Sequence, residues 1–115
     1  MYEMLKSKIH RAKITDANVD YEGSISICSD LMIHAGIYEF EKVAVADVNN
    51  GARFETYVIA SQKPREICVN GAAARLVSIG DLVIIMAYQH MEAVPDRYVP
   101  KIILVDANNS ALEGV

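Results

Sequence analysis

Gly23-Ser24, inside the run Tyr21-Glu22-Gly23-Ser24, is a place where the backbone itself can react. A serine hydroxyl is a poor nucleophile unless something activates it or holds it against an electrophile. Here the electrophile is adjacent, because the Gly23 carbonyl is the acyl group joined to the Ser24 nitrogen. Glycine takes backbone angles barred to other residues, so a Gly-Ser step can bend until hydroxyl faces carbonyl. Attack gives an N→O acyl shift to an ester. Loss of the Ser24 α-proton then expels the ester oxygen, and hydrolysis of the dehydroalanine leaves a pyruvoyl group at the head of a new chain. A tight turn before a strand is the commoner use of the dipeptide, so the other residues must decide.

Arg53 offers a bidentate fork to a carboxylate; its plain alternative is a surface arginine beside a hairpin. Lys8 could meet a second anion or simply be a solvated strand lysine. Tyr57 shares the strand parity of Arg53, so both point to one face, and a phenol there can deliver a proton. Thr56 has the opposite parity, and only a local bulge or a neighbouring subunit would let it share a site with Tyr57. Asn70-Gly71-Ala72-Ala73-Ala74 is small enough to let a ligand approach backbone N–H groups, or is an ordinary helix start. His10, His34 and His90 give no metal-ligand spacing. Cys28 and Cys68 fit neither a zinc site nor a disulfide framework, and Cys28 has no evident base, which suits a core residue.

These residues must be positioned by strands. Apolar residues fall mostly in short β-branched runs between turn signals, which predicts strands at 5–14, 24–27, 42–48, 54–60, 66–69, 82–88 and 101–105. Asn49-Asn50-Gly51 is a hairpin signal, Ser29-Asp30 a helix N-cap, Gly36 a C-cap, and residues 70–76 a short helix. Seven short strands in 115 residues predict one all-β domain with short helices, a small closed barrel that removes exposed edges. The polar tail from Asn108 reads as loose. A net charge of −4 with scattered basic residues disfavours nucleic acid or an anionic membrane as partner. The chain lacks a membrane-length apolar run and a signal-peptide h-region, which points to the cytoplasm.

Lys8-Ile9-His10-Arg11, Tyr21-Glu22-Gly23-Ser24, Asn50 to Tyr57, Asn70-Gly71-Ala72-Ala73-Ala74 and Gly80 to Ile85 together resemble the aspartate 1-decarboxylase family in order and approximate spacing. The resemblance implies a six- to seven-stranded double-psi β-barrel, assembled as a homotetramer with active sites between subunits. It implies a proenzyme that cuts itself into residues 1–23 and 24–115, with room for an accessory maturation factor. The activity implied is decarboxylation of L-aspartate to β-alanine for pantothenate, through a Schiff base on a pyruvoyl group derived from Ser24, without metal or PLP. Tyr57 would be the proton donor, and Gly23, Thr56, Tyr21 and His10 would serve self-cleavage. Arg53, Lys8, Asn70, Gly71, Ala72, Ala73, Ala74 and Ile84 would bind substrate. A pyruvoyl decarboxylase of another amino acid such as glutamate, and a non-catalytic binding barrel, are the alternatives.

Overall fold

Alternating apolar residues pair into strands wherever the sequence repeats with period two. The computed structural model describes residues 1–112. In chain order it contains β1 (Tyr2–Lys13), β2 (Asp16–Asn18), β3 (Ser24–Cys28), α1 (Ser29–Ala35), β4 (Lys42–Asp47) and β5 (Arg53–Ser61). There follow β6 (Ile67–Asn70), a 3-10 helix (Gly71–Leu76), β7 (Leu82–Met91) and β8 (Lys101–Leu104).

The strands neighbour one another in the order β2-β6-β3-β5-β4-β7-β1-β8. Only Ile14 and Thr15 separate β1 from β2, yet the two stand towards opposite ends of that order. A single bent strand therefore joins both ends and closes the sheet. Thr15 secures the bend: its N–H donates to the Ile67 carbonyl at 2.8 Å, and Ile67 N–H donates to Thr15 Oγ1 at 3.0 Å. Closure makes a six-stranded barrel of β1/β2 with β3 to β7, and β8 lies parallel to β1 outside it.

Two pairs are parallel within the barrel, β2 with β6 and β3 with β5. Exchanging the first three barrel strands with the last three maps the set of neighbouring pairs onto itself and swaps those two. This is the double-psi β-barrel. Ile9, Ile25, Ile27, Val43, Val45, Val58, Val69 and Ile85 point inward and are essentially inaccessible to water. Their burial is the main favourable term holding the barrel shut.

Four local expectations change. β2 carries no β-branched signal and exists because it continues β1 beside β6. Ser29 does not cap α1: Cys28 is the N-cap, and Ser29 Oγ instead donates to the Ser61 carbonyl at 3.2 Å. β1 holds an extra residue relative to β7 between Ile9 and Ala12, where Arg11 takes φ 65. That bulge switches the alternation, so Ile9 and Ala12 both face the core while Lys8 and His10 stay outside. The tail is tied down as far as Leu112, because buried Asn109 accepts from Lys13 N–H and donates to the Lys13 and Arg65 carbonyls. The remainder of that expected loose tail, residues 113–115, lies outside the described residues.

Candidate active site

Ser24 opens β3, and Gly23 ends the exposed loop before it. Ile25 and Ile27 take the inner face, so alternation turns Ser24 and Ser26 to the outer face. Ser24 is nevertheless 5% exposed, because Asn70 of β6 stands directly opposite it in the antiparallel ladder. The Asn70 amide Nδ2 donates to Ser24 Oγ at 3.0 Å and to Ser26 Oγ at 3.1 Å. Ser24 Oγ lies 3.4 Å from the Glu22 carbonyl, a long contact that leaves its proton weakly engaged. A buried hydroxyl, next along the chain from the Gly23 carbonyl, thus has one fixed donor on its oxygen.

Gly71 shapes the other wall. It has φ +77, and a Cβ placed there would meet Gly23 Cα at 2.6 Å, Gly23 N at 2.7 Å and the Tyr21 carbonyl at 3.2 Å. Glycine is required twice over: for the left-handed backbone, and for the room that the Gly23 peptide occupies. The 3-10 helix continues with Ala72 exposed and Ala73 half-buried, whereas Ala74 is turned into the core.

Along β5, Phe54 and Val58 pack against or into the core, leaving Arg53 and Tyr57 on the outer face. β3 and β5 run parallel from the pair Ile25 with Val58, so the preceding residues, Ser24 and Tyr57, are neighbours outside the barrel. Thr56 lies opposite Val43 on the inner parity. The β4–β5 register runs unbroken through Thr56 and Tyr57, so no bulge reconciles them.

Lys8, His10 and Ile84 are elsewhere. Lys8 pairs with Met86, Met86 with Ala44, and Ala44 with Glu55 on the strand of Arg53. Three strand spacings of about 4.8 Å each therefore separate the Lys8 and Arg53 strands, on a surface that curves away. Ile84 pairs with Ala46 in the next outer row. His10 lines a groove of about 360 Å³ with Arg11, Leu104 and Asp106. Burial, then the charges of Lys8 and Arg11, holds its imidazole below the usual histidine range, and its Nδ1 is buried without a partner among the described residues. One chain therefore assembles Tyr21, Gly23, Ser24, Tyr57, Asn70 and Gly71, but not Lys8, His10 or Ile84.

Cys68 is the neighbour that sequence reasoning missed. Its thiol donates to Asn70 Oδ1 at 3.2 Å. Burial first, then the charges of Asp16 and Glu66, pushes the thiol up to about 11. Alternation along Ile67-Cys68-Val69-Asn70 was the available signal, since it sets Cys68 and Asn70 on one face. No group of three or more His, Cys, Asp or Glu suited to a metal occurs among the described residues, and none of their helices is long and apolar enough to cross a membrane.

The aspartate decarboxylase family profile matches residues 1–112. An aspartate 1-decarboxylase of Helicobacter pylori is 58% identical over 113 residues, covering 97% of each chain. One from Campylobacter jejuni is 56% identical over 109 residues, 94% of this chain and 86% of that one. Among solved structures, the computationally designed msDPBB_sym2 protein aligns with a TM-score of 0.47 at 17% identity, over 75% of this chain and 99% of its own.

Proposed function

We propose, from the premise that the chain belongs to the aspartate decarboxylase family, that Gly23–Ser24 is a bond it cuts in itself. The protein removes CO2 from L-aspartate to give β-alanine, a reaction that supplies pantothenate synthesis. The observation that carries the self-cleavage reading is the buried Ser24 hydroxyl, held by Asn70 at 3.0 Å beside the Gly23 peptide.

In this reading Ser24 Oγ attacks the Gly23 carbonyl carbon, the C–N bond breaks, and the hydroxyl proton passes to the freed nitrogen. Loss of the Ser24 α-proton expels the Gly23 carboxylate and leaves dehydroalanine. Water then adds and ammonia departs, giving residues 1–23 and a chain from 24 onward headed by pyruvoyl. The surroundings of Ser24 fit such a group: it is no bulkier than the serine it replaces, and Asn70, Ser26 and the Gly71 backbone offer a small, polar wall. The pyruvoyl group supplies the electron sink that decarboxylation needs.

Arg53 grips a substrate carboxylate through its fork, and Tyr57, beside position 24, returns a proton to the carbon that loses CO2. The Gly71, Ala72 and Ala73 segment forms a wall without side-chain bulk. Lys8, His10 and Ile84 reach the site from a second copy of the chain, because their outer-face positions curve away from Ser24 within one barrel. With no bulge in β5, the packing of that second copy is the remaining means of bringing Thr56 to bear on cleavage, whereas Tyr21 borders the Gly23 loop within the chain. The family resemblance makes the working form a homotetramer with sites between subunits, in the cytoplasm.

Denaturing mass spectrometry of the purified protein tests this directly, with two fragments divided at Gly23–Ser24 expected. Ser24→Ala should remain one species and release no CO2 from aspartate. Decarboxylation by that variant, or faster release from glutamate than from aspartate by the native chain, would overturn the reading.

A further inference from the structure

We propose that Cys68 is a positioning residue for self-cleavage, its thiol fixing which end of the Asn70 amide faces Ser24; the inference rests on the self-cleavage reading above. An asparagine amide has two ends of similar shape and opposite hydrogen-bonding sense. Here the Nδ2 end spends both hydrogens on Ser24 Oγ and Ser26 Oγ, at 3.0 and 3.1 Å. The Oδ1 end accepts from Cys68 Sγ at 3.2 Å. The antiparallel register, Ser24 with Asn70 and Ser26 with Cys68, stacks all four side chains on one face of two strands.

Orientation matters to the chemistry. With Nδ2 towards Ser24, the hydroxyl oxygen receives a hydrogen bond and its own proton is free to leave as the C–O bond forms. Reversed, Asn70 Oδ1 would hold that proton and oppose the negative charge gathering on Oγ. Reversal would also aim two N–H groups at a sulfur, which is a weak acceptor. The thiol keeps its proton at neutral pH, because burial pushes it up to about 11, so it remains a donor. Cys68 is 7% exposed and Asn70 5%, leaving little water to substitute for the missing donor.

Cys68→Val keeps the site apolar and removes the donor at the expense of one extra branch, while Cys68→Ser keeps a donor. We expect self-cleavage of freshly made precursor, followed by denaturing mass spectrometry, to slow about tenfold in Cys68→Val, the effect of one lost buried hydrogen bond. Cys68→Ser should cleave close to the native rate and melt near the native temperature, whereas Cys68→Val, with Asn70 Oδ1 left unpaired, should melt lower yet stay folded at the assay temperature. Should Cys68→Val fold poorly, Cys68→Ala, equally unable to donate, carries the same expectation. Native-rate cleavage in Cys68→Val or Cys68→Ala, or equal slowing in Cys68→Ser, would overturn the proposal. A native chain that never cuts would overturn the self-cleavage reading along with it; a native chain that cuts beside an unslowed valine variant overturns only the role of Cys68.

Discussion

Replacing Gly71 by alanine separates backbone strain from steric displacement beside the peptide proposed to be cut. At φ +77 any residue with a Cβ is strained, by about 1–2 kcal/mol. The added methyl would also lie 2.6 Å from Gly23 Cα and 2.7 Å from Gly23 N. Carbon atoms rest about 3.5–4.0 Å apart, so one backbone must give way by roughly 1 Å. Overpacking of this kind costs about 1–3 kcal/mol, which with the strain gives a total loss of about 2–5 kcal/mol. The displaced atoms adjoin the Gly23 carbonyl that is proposed to react, and a misplacement of about 1 Å can slow a reaction ~100-fold. Gly36→Ala is the control, because Gly36 has a similar φ of +67 and nothing within 4 Å of its would-be Cβ. Both variants should lose stability in urea titrations, Gly71→Ala by more, and only Gly71→Ala should accumulate uncut precursor on denaturing gels. Native-rate cleavage in Gly71→Ala, or equal slowing in Gly36→Ala, would refute the reasoning.

Three further outcomes follow from particular contacts. Tyr57→Phe should leave self-cleavage intact yet lower kcat for aspartate ~100-fold or more, as loss of a positioned proton donor does; steady-state CO2 release measures this. Asp47 is buried with Oδ2 unpartnered among the described residues, and burial followed by the nearby Asp81 raises its carboxyl above the usual range. The folded state therefore binds this proton more readily than the unfolded chain, so its stability falls as pH rises through the raised range. Asp47→Asn should raise the melting temperature at neutral pH, with the gain shrinking on acidification to pH 4. Asn109→Ala leaves the Lys13 and Arg65 backbone groups unpaired and should cost about 2–3 kcal/mol in urea unfolding, while cleavage proceeds normally.

The barrel was legible in the sequence because its strands are β-branched runs and because Asn49-Asn50-Gly51 can hardly be anything but a hairpin. β2 was hidden: Asp16-Ala17-Asn18 has no strand pattern, and its conformation is dictated by β1 on one side and the edge of β6 on the other. Asn109 was hidden for a similar reason, since its three backbone partners lie on segments remote in sequence. At the site, parity alone placed Arg53 with Tyr57 and set Thr56 apart. What parity could not give was curvature. Lys8 and Arg53 look like partners until the three intervening strand spacings are counted around a closed surface.

The bent β1/β2 strand carries one more consequence. It pairs with β7 and β8 at one end and with β6 at the other, and it lies wholly before residue 23. A cut between Gly23 and Ser24 would leave that strand as a separate peptide, kept by its ladders, by Ile9, Ala12 and Ile14 in the core, and by side-chain bonds such as those of Asn109 to Lys13. Folding of the uncut chain is an intramolecular event, whereas reassembly of the cut form requires two molecules to meet. Denaturation of mature protein should therefore reverse poorly on dilution, its recovery rising with concentration or with added 1–23 peptide. If the bond is cut as proposed, the barrel has to be built first, and afterwards its persistence would depend on the rate at which it opens.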